Sequence, residues 1–375
     1  MITAHPKFLG SAGAASAYCQ GVATSAAYAR SAARIRRVCA SSDDSRTLRL
    51  EVVEELGRAV GFDAYAWLLT DPETSVGSAP LADVPCLPEL ARLIRLRYLT
   101  DINRWTNLGG APVALLQEAT GGEPSRSRLW RELLREYDVG DVASSVFTDR
   151  FGCWGFLDLW RSGPAARFGQ ADAELLAGVA EPLTAALRRC QANTFVDRAA
   201  HAPRQVGPVV LLLSPDLEVL GQTPETQKYL RVLVPSAEGQ APIPASAYNV
   251  AAQLLAVEAG VDQNTPSARV HLSGGLWVTL RAARIGDEPT EAERNIAVTI
   301  EETSPADRVA LFARAFGLSA RERELLGRLV TGADTRELAR RMYVSEHTVQ
   351  DHLKSIFAKT ATHNRRTLLS RALGT

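Results

Sequence analysis

The chain has 375 residues, 46% hydrophobic and 22% charged, with a formal net charge of zero. That length is too great for one ordinary core and predicts two or three domains, and the composition is that of soluble globular protein. No uncharged apolar run reaches about 18 residues, which argues against a membrane span.

The zero total hides an asymmetry. From Ser319 onward there are 11 Lys and Arg against 6 Asp and Glu, and the preceding residues hold 31 against 36. A small basic end on a larger acidic body points to a localised polyanion site. The cysteines are Cys19, Cys39, Cys86, Cys153 and Cys190. Their odd number and the absence of C-x-x-C speak against a disulfide framework or a zinc module and for buried thiols in a reducing cytosol.

Residues 1–44 read as an N-terminal extension, helical or disordered. Its Gly10–Ala29 stretch is rich in Ala and Ser, but Tyr18, Gln20 and Thr24 interrupt any signal-peptide core. A frayed helix or a start codon assigned too early fits better. Leu48, Val52, Leu56 and Val60 follow at strict i+4 spacing and predict a helix. Phe62 to Leu69 reads as a strand, and Leu87–Tyr98 and Leu129–Tyr137 as helices. Val142–Thr148 and Trp154–Arg161 are strand-like runs separated by a four-residue turn. A long helix then opens at Phe168-Gly169-Gln170-Ala171-Asp172.

This order, over residues 45–190, resembles a GAF domain, with F-G-Q-A-D-A-E-L-L as the entry to its final helix. If the resemblance holds, Tyr65, Trp67, Trp154, Phe156 and Trp160 are candidates for lining a ligand pocket, although aromatics on strands are more often core. Residues 191–205 read as a linker. Residues 206–303 carry an opening strand pair around Asp216, a Pro-rich loop at Pro235–Pro244, a helix at Asn249–Ala259 and three closing strands with a Ser273-Gly274-Gly275 turn. That order resembles a PAS domain. Residues 304–316 read as a second linker.

Residues 317–375 are the most informative. Ser319-Ala320-Arg321-Glu322 and Asp334-Thr335-Arg336-Glu337 have the pattern of capping boxes. Leu325, Leu326 and Leu329 form one apolar face, Leu338, Ala339 and Met342 a second, and Val349, Leu353 and Ile356 a third. Two of these helices are separated only by Tyr343-Val344-Ser345, the spacing of a helix-turn-helix. Asn364 can cap a fourth helix. With Val349, Leu353 and Ile356 inward, His347, Gln350, Asp351 and Lys354 fall on the opposite face, where they can meet base edges in a major groove. Thr348, Lys359, Arg365 and Arg366 suit phosphate contacts.

The segments L-S-A-R-E-R-E-L-L, G-A-D-T-R-E-L-A-R-R-M, V-S-E-H-T-V and H-L-K-S-I resemble the LuxR/GerE-type DNA-binding domain. Thr360, Ala361 and Thr362 depart from that family's pattern, which puts the end of the third helix in question. The overall expectation is a multidomain α+β chain, with GAF-like and PAS-like antiparallel sheets, ending in an all-α four-helix DNA-binding domain.

Function is expected to follow: a cytoplasmic, one-component transcription regulator that binds double-stranded DNA as a homodimer, with a small-molecule or protein signal at its N-terminal domains. The last helix and the long helix after Asp172 are its candidate dimer surfaces. The alternative is an interaction protein whose DNA module is a tether. No catalytic cluster, Walker loop or G-x-S-x-G elbow occurs, and no histidine has a partner at metal-ligand spacing. Neither an enzyme activity nor a cofactor or metal is expected. Asp71 follows a strand, but no parallel β/α repeat surrounds it, so a phosphoacceptor role is not expected.

Overall fold

The structure is a computed structural model that describes residues 12–108, 110–196, 209–226, 244–272, 276–286, 290 and 294–374, with side chains from residue 25. Helix α1 (Ala12–Ser41) leads into α2 (Ser45–Ala59), which Asp44 caps by accepting from the Thr47 N–H at 2.7 Å. Leu48, Val52 and Leu56 are fully buried, as their i+4 spacing requires.

Five antiparallel strands follow: β1 (Ala64–Thr70), β2 (Gly77–Asp83), β3 (Val113–Leu115), β4 (Val139–Asp149) and β5 (Gly152–Ser162), in the order β2-β1-β5-β4-β3. Helices α3 (Leu90–Leu99), α4 (Leu116–Ala119) and α5 (Arg128–Glu132) lie between β2 and β4. The helix expected from Leu87 begins as a 3-10 turn over Leu87–Glu89, with Pro88 inside it. The helix expected over Leu129–Tyr137 breaks at Leu133 (φ −140°) and resumes as a 3-10 turn.

The long helix α6 (Gln170–Asn193) packs Leu175, Leu176, Val179, Leu183 and Leu187 in one core with Trp67, Phe147 and Leu157 of the sheet. The other face of the sheet meets α3. Covering on both faces explains why β4 and β5 are buried at nearly every position.

The second unit repeats this topology. Strands β6 (Val209–Leu213), β7 (Val219–Gln222), β8 (Ser267–His271), β9 (Trp277–Ile285) and β10 (Asn295–Glu302) form a sheet in the order β7-β6-β10-β9-β8. In both sheets the strands therefore run second, first, fifth, fourth, third. Helix α7 (Ala245–Glu258) packs its buried face in one core with this sheet. The expected Pro-rich loop and the turn at residues 273–275 lie wholly or partly outside the described residues.

The stretch expected as a linker at 304–316 is helix α8 (Pro305–Ala315). Ser304 caps it, accepting from the Asp307 N–H at 3.1 Å, and Pro305 occupies its first turn. Four short helices complete the chain: α9 (Ala320–Val330), α10 (Thr335–Met342), α11 (Glu346–Thr360) and α12 (Arg365–Leu373).

Buried polar joints hold the units together. Asp71, in the turn after β1, accepts from the Arg269 backbone N–H at 2.8 Å and from its Nε and Nη2 at 2.7 Å each. Arg269 also donates to the Asp307 carbonyl at 3.3 Å, so one guanidinium touches the first unit and α8 from its place on β8. Asp71 is 1% exposed. Burial opposes its charge, but the Arg269 side chain and backbone N–H donors outweigh that and hold its pKa below the ordinary value. A second joint has Arg104 donating to Asp262 at 2.7 Å and to Gln253 at 3.0 Å. Apolar packing adds a third, with Phe195 stacked on Trp277 (5.3 Å between centroids) and edge-on to Phe312 (5.4 Å).

Asp71→Asn removes the buried counter-ion of Arg269, leaving only the half-exposed Glu73 at 3.0 Å, and is expected to cost about 3–5 kcal/mol. Urea denaturation of the full chain measures it. A loss below about 1 kcal/mol would show that the joint contributes little to stability.

Candidate nucleic-acid interface

Every helix of the C-terminal unit begins at a side-chain cap. Ser319 accepts from the Glu322 N–H at 3.3 Å while Glu322 accepts from the Ser319 N–H at 2.6 Å, a complete capping box. At the second site only half the box forms. Asp334 accepts from the Glu337 N–H at 2.8 Å, but the Glu337 carboxylate pairs with Arg341 at 2.5 Å, one turn on. Ser345 and Asn364 cap α11 and α12 by accepting from Thr348 and Thr367 N–H at 3.1 and 2.8 Å. The α10–α11 turn puts Tyr343 in left-handed backbone (φ 55°), its ring 95% exposed.

On α11, Val349, Leu353 and Ile356 are buried against α9 and α10, as their spacing predicts. The opposite face carries His347, Gln350, Asp351 and Lys354, all exposed. Asp351 lies between His347 and Lys354, 3.5 Å from His347 Nε2 and 3.6 Å from Lys354 Nζ. These are loose surface contacts that cost little to break, so Lys354 is free to turn toward another acceptor.

The four residues expected to meet phosphate have different surroundings. Arg366 is exposed, and Thr348 is half-buried with its hydroxyl 2.9 Å from that of Ser345. Arg365 donates to the Thr335 hydroxyl at 2.6 Å, and so ties the start of α12 to the start of α10. Lys359 binds both carboxylate oxygens of Glu322, at 2.9 and 2.6 Å. Glu322 is nearly buried, and burial alone would favour its neutral form. Lys359, the Ser355 hydroxyl (2.6 Å) and the Ser319 N–H outweigh that and pull its pKa down to about 2.

The Thr360–Thr362 departure has a structural answer. Thr360 is buried, donates to the Ile356 carbonyl at 2.8 Å and lies 2.9 Å from the Thr362 hydroxyl. Ala361 ends the helix in left-handed backbone (φ 48°), and Arg371 donates to the Thr360 carbonyl at 2.8 Å.

Residues 317–372 match the model of the family described as bacterial regulatory proteins, luxR family. The C-terminal unit is a LuxR-type helix-turn-helix DNA-binding domain. The chain is 46% identical over 54 residues to the "Monoamine regulon transcriptional regulator" of Klebsiella aerogenes, covering 14% of this chain and 24% of that protein. It is 46% identical over 48 residues to the "CsgBAC operon transcriptional regulatory protein" of Escherichia coli (strain K12), covering 13% and 22%. The chain thus spans about a quarter or less of the length of these curated relatives. A longer similarity, 28% over 204 residues, covers 49% of this chain and 82% of the "Probable HTH-type transcriptional regulator GfsR" of Streptomyces halstedii.

The aromatic candidates in the first unit divide between two faces of the sheet. Phe156 and Trp160 line a cavity of about 160 Å³ together with Ala66 and Leu68. Trp67 and Trp154 lie in the opposite core against α6, and Tyr65 is half-buried against that same core. Alternation along β1 separates Tyr65 and Trp67 from Ala66 and Leu68. A register shift between the pairs Phe147–Gly155 and Thr148–Cys153 leaves Trp154 unpaired, and its indole donates to Asp149 at 3.0 Å. Cys39, Cys86, Cys153 and Cys190 are buried free thiols. Among the described residues, no helix is long and apolar enough to cross a membrane.

The reading of the sequence missed two features of this domain. Glu322 and Lys359 are 37 positions apart, so only the fold pairs them, and nothing in the sequence marks Tyr343 as exposed. Glu322→Gln removes the charge that holds Lys359 and Ser355. It is expected to destabilise the LuxR-type domain by about 1–3 kcal/mol at neutral pH. Because the folded carboxyl titrates below its ordinary value, its contribution is present above about pH 4.5 and is lost as pH falls toward 2. The variant should therefore match the parent at the acid end of a stability–pH series and fall below it at neutrality.

Proposed function

We propose that the chain is a sequence-specific DNA-binding transcription regulator in which two N-terminal sensory units control a C-terminal DNA reader. The observation that carries the reading is the outward face of α11. It presents a hydrogen-bonding amide, a cation and an imidazole to solvent above a fully apolar inward stripe, inside a domain of the LuxR type.

Gln350 is assigned to adenine and Lys354 to guanine acceptors, with His347 and Asp351 beside them. Thr348 and Arg366 position the domain on phosphate, and Lys359 and Arg365 act chiefly by holding its helices together. Tyr343, exposed at the turn before α11, is a further candidate for the sugar–phosphate backbone. The common strand order of the two sheets supports reading the first unit as GAF-like and the second as PAS-like; a cytoplasmic, one-component arrangement is part of the same proposal. Binding as a dimer to paired half-sites is the expected mode, because one such domain covers few base pairs. Part of α12 meets α8, with Leu368 and Ala372 buried, so exposed Arg366 at its start is the position proposed to meet a partner.

The test is fluorescence anisotropy on a site selected from random duplexes. Gln350→Ala and Lys354→Ala are each expected to weaken that site by about 1–3 kcal/mol and to leave random DNA little changed. Equal losses on every sequence would mean that the domain only tethers the chain to DNA. Affinity should also fall steeply and linearly on a log–log plot against salt, and a flat plot would contradict phosphate binding.

A further inference from the structure

The first unit contains a chamber that the DNA-binding reading does not use. It lies between β1, β5 and α3, and its volume of about 160 Å³ is walled chiefly by apolar side chains, among them Leu68, Ile94, Phe156 and Trp160. A cavity of about 150 Å³ with such walls is large enough for a benzene-sized molecule. Its rim carries Leu87, an apolar side chain 49% exposed to solvent. Its far side is closed by Ala245 and Asn249 of α7, which belong to the second unit.

One end of the chamber is polar. Arg97 Nε donates to Asp158 at 2.8 Å and Nη2 at 3.1 Å, both side chains buried. Beyond that pair lies a second void of about 20 Å³, with Arg97, Asp158, Asn103 and Ser144 in its wall. The Asn103 amide nitrogen is buried with no hydrogen-bond partner among the described residues. An unpaired buried donor is costly and therefore uncommon, and here it lies beside a space the size of one polar group.

We propose that the chamber binds a neutral, mostly apolar ligand of single-ring size whose one polar group is read at the Arg97–Asp158–Asn103 end. Neutrality follows from the ion pair. Arg97 and Asp158 already neutralise each other, so a carboxylate or an ammonium would bring a charge into the site without a counter-ion. Since α3 and α7 both wall the chamber, the occupant touches both N-terminal units. Its effect on DNA binding rests on the sensory reading above, but binding itself does not.

The test is calorimetric titration of the full chain, without DNA, with phenol, toluene, benzoate and benzylamine. Phenol is expected to bind at least about tenfold more tightly than either ion, a difference of about 1.4 kcal/mol. Ala66→Phe, which fills the chamber, should weaken phenol by at least about tenfold. Arg97→Met with Asp158→Leu, which removes both charges together, should keep toluene and lose the preference for phenol over toluene. Tighter binding of benzoate or benzylamine, or phenol binding unchanged by Ala66→Phe, would overturn the proposal. Should Ala66→Phe fail to fold, a crystal of the unaltered chain with 4-bromophenol decides. Bromine density between β1, β5 and α3 supports the proposal, and its absence there refutes it. A chain that binds phenol but no DNA would sink the regulatory reading and leave this one standing.

Discussion

The pairing of Asp71 with Arg269 is the constraint on which the rest of the architecture hangs. The carboxylate ends β1 of the first unit, the guanidinium projects from β8 of the second, and the same guanidinium reaches the Asp307 carbonyl in α8. Neither group can be moved alone. Separating them would leave a buried charge with only the half-exposed Glu73 carboxylate, 3.0 Å from Arg269, to balance it, a penalty on the order of several kcal/mol. Asp71 also accepts from the Glu73 and Thr74 N–H groups at 2.9 and 3.3 Å, so the turn that carries it is fixed as well. A carboxylate so enclosed has its oxygens taken up by the joint and by its own turn.

The second joint has the same logic and a different consequence. Arg104 is fully buried and spans from the Tyr98 carbonyl near the end of α3 to Gln253 within α7 and Asp262 beyond it. Two helices from different units are thus clamped at one end, close to the chamber they both wall. Hydrogen-bonded charges of this kind fix relative orientation more than they add stability. The apolar contacts of Phe195, Trp277 and Phe312 do the complementary work, giving area without direction. At the exit of α8, Gly317 sits at φ 62°, where a β-carbon would meet Arg188 Nη1 at 2.6 Å. The passage from α8 to the LuxR-type domain therefore depends on a residue with no side chain.

How much of this the sequence disclosed depended on the range of the interaction. The C-terminal helices were legible because caps and apolar stripes act within four residues, and Ser319, Ser345, Asn364 and the Val349–Leu353–Ile356 stripe all stand where their spacing puts them. Helix α8 was legible too, since Ser304-Pro305 followed by Asp307 is a start signal, but a linker was expected there and the signal was passed over. Strand β2 was not legible, because Gly77, Pro80 and Asp83 are poor strand formers and only its place at the sheet edge accommodates them. The aromatic candidates divide between two faces for a subtler reason. Period-two alternation sorts Phe156 and Trp160 onto one face, but the unpaired Trp154 shifts the register, and no local pattern announces a bulge.

The charge surplus of the C-terminal domain also reads differently once its partners are known. Lys359 is held by Glu322, Arg321 and Arg328 by Glu324, Arg341 by Glu337, Arg365 by Thr335 and Arg371 by backbone carbonyls. The exposed helix pairs among these are weak and can open toward a phosphate. The Lys359–Glu322 pair cannot do so cheaply, because Glu322 is nearly buried and would lose the cation that keeps it charged. Freely available cations are therefore fewer than the composition implies, with Lys354 and Arg366 foremost among those predicted from sequence. Since each neutralised phosphate contributes separately to affinity, every cation locked in this way lowers the number one domain can offer to DNA. Two domains on adjacent half-sites would double that number without changing either domain's fold. The dimer proposed above would thus offset the cations that the reader holds within its own fold.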